Sequence, residues 1–356
     1  MLASTLKADI IVIDDGSSDR TAAIVRETYP GEERVIVHKK ENGGKSAALN
    51  FGITLTEGYE VIVAIDGDTM LMPDAIERLV EPFENPRVGA VAGKVVVGNT
   101  VNLMTRFQAL EYLMSQNLDR RAFELLNAIS VVPGAIGAWR REALVEAGGY
   151  SHDTLAEDAD LTITIERNGW TVLGEPDALA LTEAPESLRS FMKQRFRWMF
   201  GTLQVAWKHA GGLLQRPNGT WIIVPNVLLF QFAFTLLAPL MDILLVWTIA
   251  INVQSLIAHG WMQAGTPMTL LAYWAFFQTV DVAAAGAAHV LDGQRPSWRL
   301  FPLLAVQRFT YRQLLYWIAV RTLLAAIKGT FVGWGKLIRT GSVSLPPNGA
   351  AAPAAP

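Results

Sequence analysis

Acidic residues recur along this chain where apolar runs end. Asp14-Asp15-Gly16-Ser17-Ser18-Asp19 closes one run, Asp66-Gly67-Asp68 closes a second, and Glu157-Asp158 follows a Gly148-Gly149-Tyr150 turn. Two carboxylates separated by one residue can share a hard divalent cation, Mg²⁺ or Mn²⁺, with the oxygens of a diphosphate. Two consecutive acids at a strand end can accept hydrogen bonds from uracil or ribose, which gives Asp14 and Asp15 a nucleoside-binding reading. Asp158, paired with Glu157, is the candidate general base, because transfer to a hydroxyl needs a carboxylate to take the proton as the bond forms. Each group also has a plain reading: Asp-Gly is a common turn pair, and acids in a first helical turn favour the helix dipole. The ordered set points to chemistry more than any single member does.

Two further constellations carry donors rather than acceptors. Asn42-Gly43-Gly44-Lys45 can bring a backbone bend and the Lys45 ammonium to phosphate oxygens, although a Gly-Gly turn before a surface lysine is ordinary. Gln194, Arg197 and Trp198 stand at i, i+3 and i+4 and therefore share one helical face. An amide, a guanidinium and an indole together suit sugar hydroxyls, a diphosphate and a stacked pyranose ring. The same helix, residues 187–209, has the basic and aromatic residues of a segment lying at a membrane surface, and both roles can coexist.

These side chains need elements to position them. Residues 8–13, 35–38, 59–65, 88–97 and 171–176 have strand patterns, alternating with helical patterns over 19–27, 45–55, 73–83, 101–126 and 158–168. That alternation predicts βαβ units and a mainly parallel sheet with the carboxylates gathered at one edge. Gln108, Glu111 and Tyr112 fall on the 101–126 helix, and residues 131–139 read as an apolar, turn-rich stretch.

Composition divides the chain in two. Mean hydropathy of +0.26 with 18% charged residues averages a mixed first part and a stretch from Trp221 to Trp334 rich in Leu, Ala, Val, Phe and Trp. Residues 221–251 are long enough to span a bilayer, with Pro239 and Asp242 predicting a kink or a pair of short spans; 268–291 and 313–334 read as further spans. Arg321 and Lys328 lie inside the third. The linker 252–267 has no Lys or Arg, whereas 292–312 has Arg295, Arg299, Arg308 and Arg312, so the second linker is expected on the cytoplasmic side. Residues 342–356 read as a disordered tail. A net charge of −3 offers no basic surface for nucleic acid, and the absence of cysteine excludes disulfides, thiolate metal sites and cysteine nucleophiles.

The acids, in this order and ahead of Gln194, Arg197 and Trp198, resemble the processive family 2 glycosyltransferases, the group of cellulose, hyaluronan, chitin-oligosaccharide and poly-N-acetylglucosamine synthases. The resemblance covers roughly residues 10–341. It implies an α/β GT-A-like nucleotide-sugar domain with a mixed, mainly parallel sheet over residues 1–186, an interfacial QxxRW helix and linker over 187–220, and transmembrane helices over 221–341. It also implies inverting transfer from a UDP-sugar to a growing β-linked polysaccharide, with N-acetylglucosamine the expected sugar. On that basis Asp14 and Asp15 meet the uridine, and Lys45, Asp66 and Asp68 serve the donor, the last two with Mg²⁺ or Mn²⁺. Asp158, with Glu157 beside it, is the base, and Gln194, Arg197 and Trp198 clamp donor and acceptor. The setting implied is a multi-pass protein of the cell inner (plasma) membrane with its catalytic domain in the cytoplasm and accessory export subunits as partners. Ala92-Gly93-Lys94, residues 137–141 and residues 334–341 also resemble bacterial N-acetylglucosamine-polymer synthases.

Two departures qualify the resemblance. Ala156 stands where the family usually has threonine before the Glu-Asp pair. The family also opens with a strand that walls the nucleotide site, and this chain enters at the next strand, so an incomplete sheet is expected beside the donor pocket. Alternatives are a polyprenyl-phosphate sugar transferase, which the QxxRW helix disfavours, and a catalytically impaired assembly subunit, which the intact acids disfavour.

Overall fold

β-Branched runs become strands where they can be buried on both faces, and Val88 to Val97 (β5) is the clearest case, with nearly every residue inaccessible. The computed structural model describes residues 1–215, 219–259, 266–292, 301–329, 341 and 343. Ile10–Asp15 (β1) and Val35–Lys40 (β2) pair in parallel, from Ile10 opposite Val35 to Asp15 opposite Lys40. A separate five-stranded sheet contains Val61–Ala64 (β3), Met70–Leu71 (β4), β5, Gly137–Arg140 (β6) and Thr171–Thr182 (β7), in the order β3-β6-β5-β7-β4.

The sheet is mixed, as expected, but it is not mainly parallel. β5 runs parallel to β7, whereas the β3·β6, β5·β6 and β4·β7 pairs are antiparallel. The reason is β6, which lies inside the stretch read as turn-rich and inserts in the opposite direction between β3 and β5. Four residues are too few for a strand period to show, and close packing there depends on glycine: a Cβ on Gly137 would sit 2.5 Å from the Val132 side chain. β7 also runs past Pro176, where its sequence pattern appeared to end. A shift of register between Gly93 and Lys94 absorbs the residues around the proline and lets pairing resume at Leu179.

Helices cover both sheet faces. Thr21–Thr28 (α1) and Lys45–Thr54 (α2) follow β1 and β2, and Ala75–Val80 (α3) follows β4. The predicted helix over 101–126 is three pieces: Leu103–Met114 (α4), a π-helical turn at Ser115–Asp119, and Arg120–Glu124 (α5). Arg141–Glu146 (α6) and Glu157–Arg167 (α7) complete the first part. On one face Trp139, Leu144, Tyr150, Leu161 and Ile165 are buried together; on the other, Leu79, Phe83, Val91, Val95 and Ile136. Each large apolar side chain so buried contributes about 1.5–3 kcal/mol.

Leu188–His209 (α8), capped by the Ser187 hydroxyl accepting from the Ser190 N–H, leads to the apolar part. Thr220–Asn226 (α9), a π-helical stretch at Val227–Phe234 and Thr235–His259 (α10) follow one another without a break at Pro239. Within them Thr220–Val253 is, among the described residues, the one helical run long and apolar enough to cross a membrane. Thr266–Asp292 (α11) and Tyr311–Ile327 (α13) pack against α10, and Phe301–Gln307 (α12) packs against α11 and α13. Arg308, in the turn before α13, pairs with Asp242 at 2.7 Å and Arg312, on α13, with Asp281 at 2.9 Å, tying the start of α13 to α10 and α11. The end of the expected third span and the tail apart from Val343 lie outside the described residues, as do Arg295 and Arg299.

Candidate active site

A single cavity of 2110 Å³ joins the two parts of the molecule. Lys45, Asp66, Asp68, Glu157, Asp158, Gln194, Arg197 and Trp198 all line it, and it extends to Phe230, Arg312 and Tyr316 on the apolar helices. The groups singled out by spacing are therefore brought together, with two exceptions.

Asp14 and Asp15 are outside that lining. Asp14 Oδ1 accepts from the Ser17 N–H at 2.7 Å, and this bond is the main cause holding its carboxyl below the ordinary aspartate value. Asp15 is turned toward the glycine loop: it accepts from Lys40 Nζ at 2.7 Å, the Gly43 N–H at 3.0 Å and the Gly44 N–H at 2.8 Å. Burial would raise its pKa, but these donors outweigh it and lower it. Asp15 thus shapes the loop that presents Lys45.

Lys45 stands between carboxylates. Its Nζ is 2.8 Å from Asp66 Oδ1 and 3.1 Å from Glu157 Oε1. Burial alone would lower the ammonium's pKa; Asp66, Glu157 and Asp158 reverse this and raise it, so the cation is fixed. Glu157 is deeply buried, and burial followed by the Asp158 charge pushes its carboxyl above the ordinary glutamate value while Lys45 opposes the shift. Asp158 is half-buried at the start of α7, its Oδ2 accepting from the Gly134 N–H at 3.3 Å and its Oδ1 from the Ala159 N–H at 2.9 Å. No side-chain cation is within ion-pairing distance of it among the described residues.

α7 and the turn before it, which carry Glu157 and Asp158, are pinned to α8. A Cβ on Gly201 would lie 2.8 Å from the Ala156 nitrogen, so the helix backbone passes directly against the turn before Glu157. Leu155 N–H donates to Gln204 Oε1 at 3.0 Å. Further along, buried Asp160 accepts from Lys208 Nζ at 2.8 Å and faces His209 Nε2 at 2.7 Å, while Arg167 Nη1 lies 3.1 Å from His209 Nδ1. A guanidinium can only donate, so His209 accepts at Nδ1 and donates from Nε2 to Asp160. Asp160 reads in the sequence only as a first-turn charge, and its role as a tie between α7 and α8 had no local signal.

Asp66 and Asp68, the carboxylates expected to serve Mg²⁺ or Mn²⁺, both line the cavity, and Asp66 Oδ1 is paired with Lys45 Nζ at 2.8 Å. Among the described residues no three His, Asp or Glu side chains converge in a metal-sized group, so an ion here would take its other ligands from donor phosphates and water. Two carboxylates on one turn facing the cavity fit that arrangement.

Residues 2–201 match the profile described as Glycosyltransferase like family 2. The chain belongs to this family of glycosyltransferases. Among its relatives, a poly-β-1,6-N-acetyl-D-glucosamine synthase of Staphylococcus aureus (strain COL) is 31% identical over 200 residues, which are 56% of this chain and 48% of the relative. The corresponding synthase of Staphylococcus epidermidis is 32% identical over 198 residues, 55% and 48% of the two chains. The chain thus spans about half the length of the curated relatives it matches. A mannosyltransferase from Pyrobaculum calidifontis, solved in complex with GDP-Man and Mn²⁺, superposes with a TM-score of 0.54 at 19% identity, over 92% of this chain and 79% of that one. At that identity the likeness establishes the fold of this family 2 glycosyltransferase, a GT-A-like domain with a mixed sheet.

Proposed function

We propose that this family 2 glycosyltransferase is a multi-pass protein of the cell inner membrane that transfers N-acetylglucosamine from UDP-N-acetylglucosamine to a growing β-linked polysaccharide, with inversion. The observation that carries the reading is the single cavity shared by Asp66, Asp68, Asp158 and the Gln194, Arg197 and Trp198 face. The names of the staphylococcal relatives support the choice of sugar and of a β-1,6 linkage. The apolar run Thr220–Val253, starting eleven residues after α8, supports attachment to a lipid bilayer, with the catalytic domain on the cytoplasmic side where UDP-sugars are made.

In this reading Asp158 takes the proton from the acceptor hydroxyl as that oxygen attacks the sugar's anomeric carbon and UDP departs. The Lys45–Glu157 ion pair anchors the start of α7, on which Asp158 stands. Asp66 and Asp68 would hold Mg²⁺ or Mn²⁺, and the chemistry such an ion would supply there is neutralisation of charge on the departing diphosphate. Asp15 sets the 42–44 loop beside the nucleotide, and Asp14 caps the strand end behind it. Trp198 offers a face to the acceptor ring, and Gln194 and Arg197 offer hydrogen bonds to sugar and phosphate. Accessory export subunits are partners that such a polymer would need, and nucleic acid has no place in the scheme.

Membranes containing the protein, offered radiolabelled UDP-sugars one at a time with Mg²⁺ or Mn²⁺, test this. Label from UDP-N-acetylglucosamine in material retained as polymer is the expected result. Label confined to an organic-extractable lipid with one sugar would replace the reading with a polyprenyl-phosphate transferase, and no incorporation from any donor would favour an assembly subunit.

A further inference from the structure

Arg195 lies inside the Gln194–Trp198 stretch but on none of the positions to which a sugar-binding role was given. It is 5% exposed, and its Nε and Nη2 have no hydrogen-bond partner among the described residues. A buried guanidinium is costly unless it is paired, so its surroundings need explaining. Its Nη1 meets Glu111 Oε1 at 3.0 Å, and its Cζ lies 4.4 Å from the Trp198 ring centroid, 5.4 Å from Phe191 and 5.9 Å from Tyr112. Tyr112 and Trp198 are themselves stacked, with centroids 6.5 Å apart at 29°. The cation is therefore set among aromatic faces, closest to the indole, and held from behind by one carboxylate.

That carboxylate is anchored in turn. The Tyr311 hydroxyl donates to Glu111 Oε2 across 200 positions of sequence. Tyr311 opens α13, one residue before Arg312 with its Asp281 pair and three after Arg308 with its Asp242 pair. A continuous chain of contacts runs from the apolar helices through Tyr311, Glu111 and Arg195 to the indole of Trp198.

We propose that Arg195 is a positioning residue: it fixes the Trp198 indole for the acceptor sugar, and Glu111 and Tyr311 couple that orientation to the seating of α13. This rests on the reading of Trp198 as an acceptor platform. A simple staple between α4 and α8 is the competing account, and it makes no reference to Trp198.

The test uses the full chain in detergent, with UDP-N-acetylglucosamine and a β-1,6-linked N-acetylglucosamine tetramer as probes. KM for each substrate is measured for Trp198→Ala, Arg195→Met and their double variant, and for Tyr311→Phe. Tyr311→Phe should raise the tetramer KM about fivefold, the scale of losing part of one cation–π contact, while the donor KM stays within about twofold. Arg195→Met should raise the tetramer KM about tenfold in the parent and have no further effect on Trp198→Ala. Equal effects of Arg195→Met in both backgrounds, or parallel rises in donor and tetramer KM for Tyr311→Phe, would overturn the proposal in favour of the staple. An unchanged tetramer KM in Trp198→Ala would instead remove the acceptor-platform reading itself. Should Arg195→Met fail to fold, Glu111→Gln in the same two backgrounds replaces it, with the same expectation.

Discussion

Lys45 bridges Asp66 and Glu157: its ammonium, 2.8 Å from Asp66 and 3.1 Å from the Glu157 carboxylate, joins the turn after β3 to the acid pair at the head of α7. Sequence spacing assigns this lysine to phosphate oxygens, and the structure gives it two carboxylates. Lys45→Met leaves three acids facing one another without a cation. Glu157 is already raised by burial and by Asp158, and Lys45 is what opposes that rise. Without it Glu157 takes up a proton at higher pH, so the acidic limb of the pH–rate profile should move upward. A profile unchanged in shape would show that Lys45 acts on the donor alone.

Asp158→Asn should lower transfer by at least ~10²-fold, the usual scale of a general base, with little change in UDP affinity. Calorimetric titration of UDP alongside the rate measurement separates the two. Collapse of UDP binding would place Asp158 in the donor site and send the search for the base elsewhere.

Asp68→Asn should abolish nearly all turnover while the protein still inserts and melts like the parent. Excess EDTA should do the same to the parent, reversibly on adding Mn²⁺. Full turnover in EDTA would remove the metal from the scheme.

Glu166 gives a stability test independent of catalysis. It is 4% exposed, and burial drives its carboxyl well above the ordinary value, with the Ile129 backbone opposing only in part. Between the unfolded and folded pKa values the native state holds a proton that the unfolded state has lost, so stability falls as pH rises through that window. Glu166→Gln removes this slope. Its melting temperature should exceed the parent's at pH 8 and approach it at pH 5; a parallel offset at both would refute the linkage.

Lys94 and Asp292 form a buried ion pair between the central strand β5 and the end of α11, and Asn117 Nδ2 donates to the same Asp292 oxygen at 2.9 Å. Breaking such a pair from one side costs about 3–5 kcal/mol, because the other charge remains buried. Lys94→Met should therefore lower the melting temperature more than the double change Lys94→Met with Asp292→Leu. If the double variant melts lowest, the pair itself stabilises the docking of α11.

Much of this was legible in the sequence because the chemistry sits where patterns change. Asp66-Gly67-Asp68 ends a run of five apolar residues, and Gln194, Arg197 and Trp198 share a helical spacing that needs no tertiary knowledge. The same local logic says nothing of the Gly43 and Gly44 amides that Asp15 meets 28 and 29 residues on. It missed β4 and β6, of two and four residues, because a period of two cannot be seen in so short a run. Glu111 and Arg195 were visible as residues, but their pairing joins two helices about eighty positions apart in sequence, and Tyr311 lies further still. Contacts of that range leave no trace in spacing.

β4 has a consequence in time as well as in space. Met70 and Leu71 are held by Leu181 and Ala180 of β7, so the turn carrying Asp66 and Asp68 is braced by a strand made more than a hundred residues later. During synthesis at about 5–20 residues per second, the acidic turn emerges several seconds before the strand that fixes it. Closing so long a loop is slow and comes after local helices form. The acidic turn is thus among the last features of this domain to become rigid, and if it holds the donor as proposed, a nascent chain should bind nucleotide only once β7 has left the ribosome.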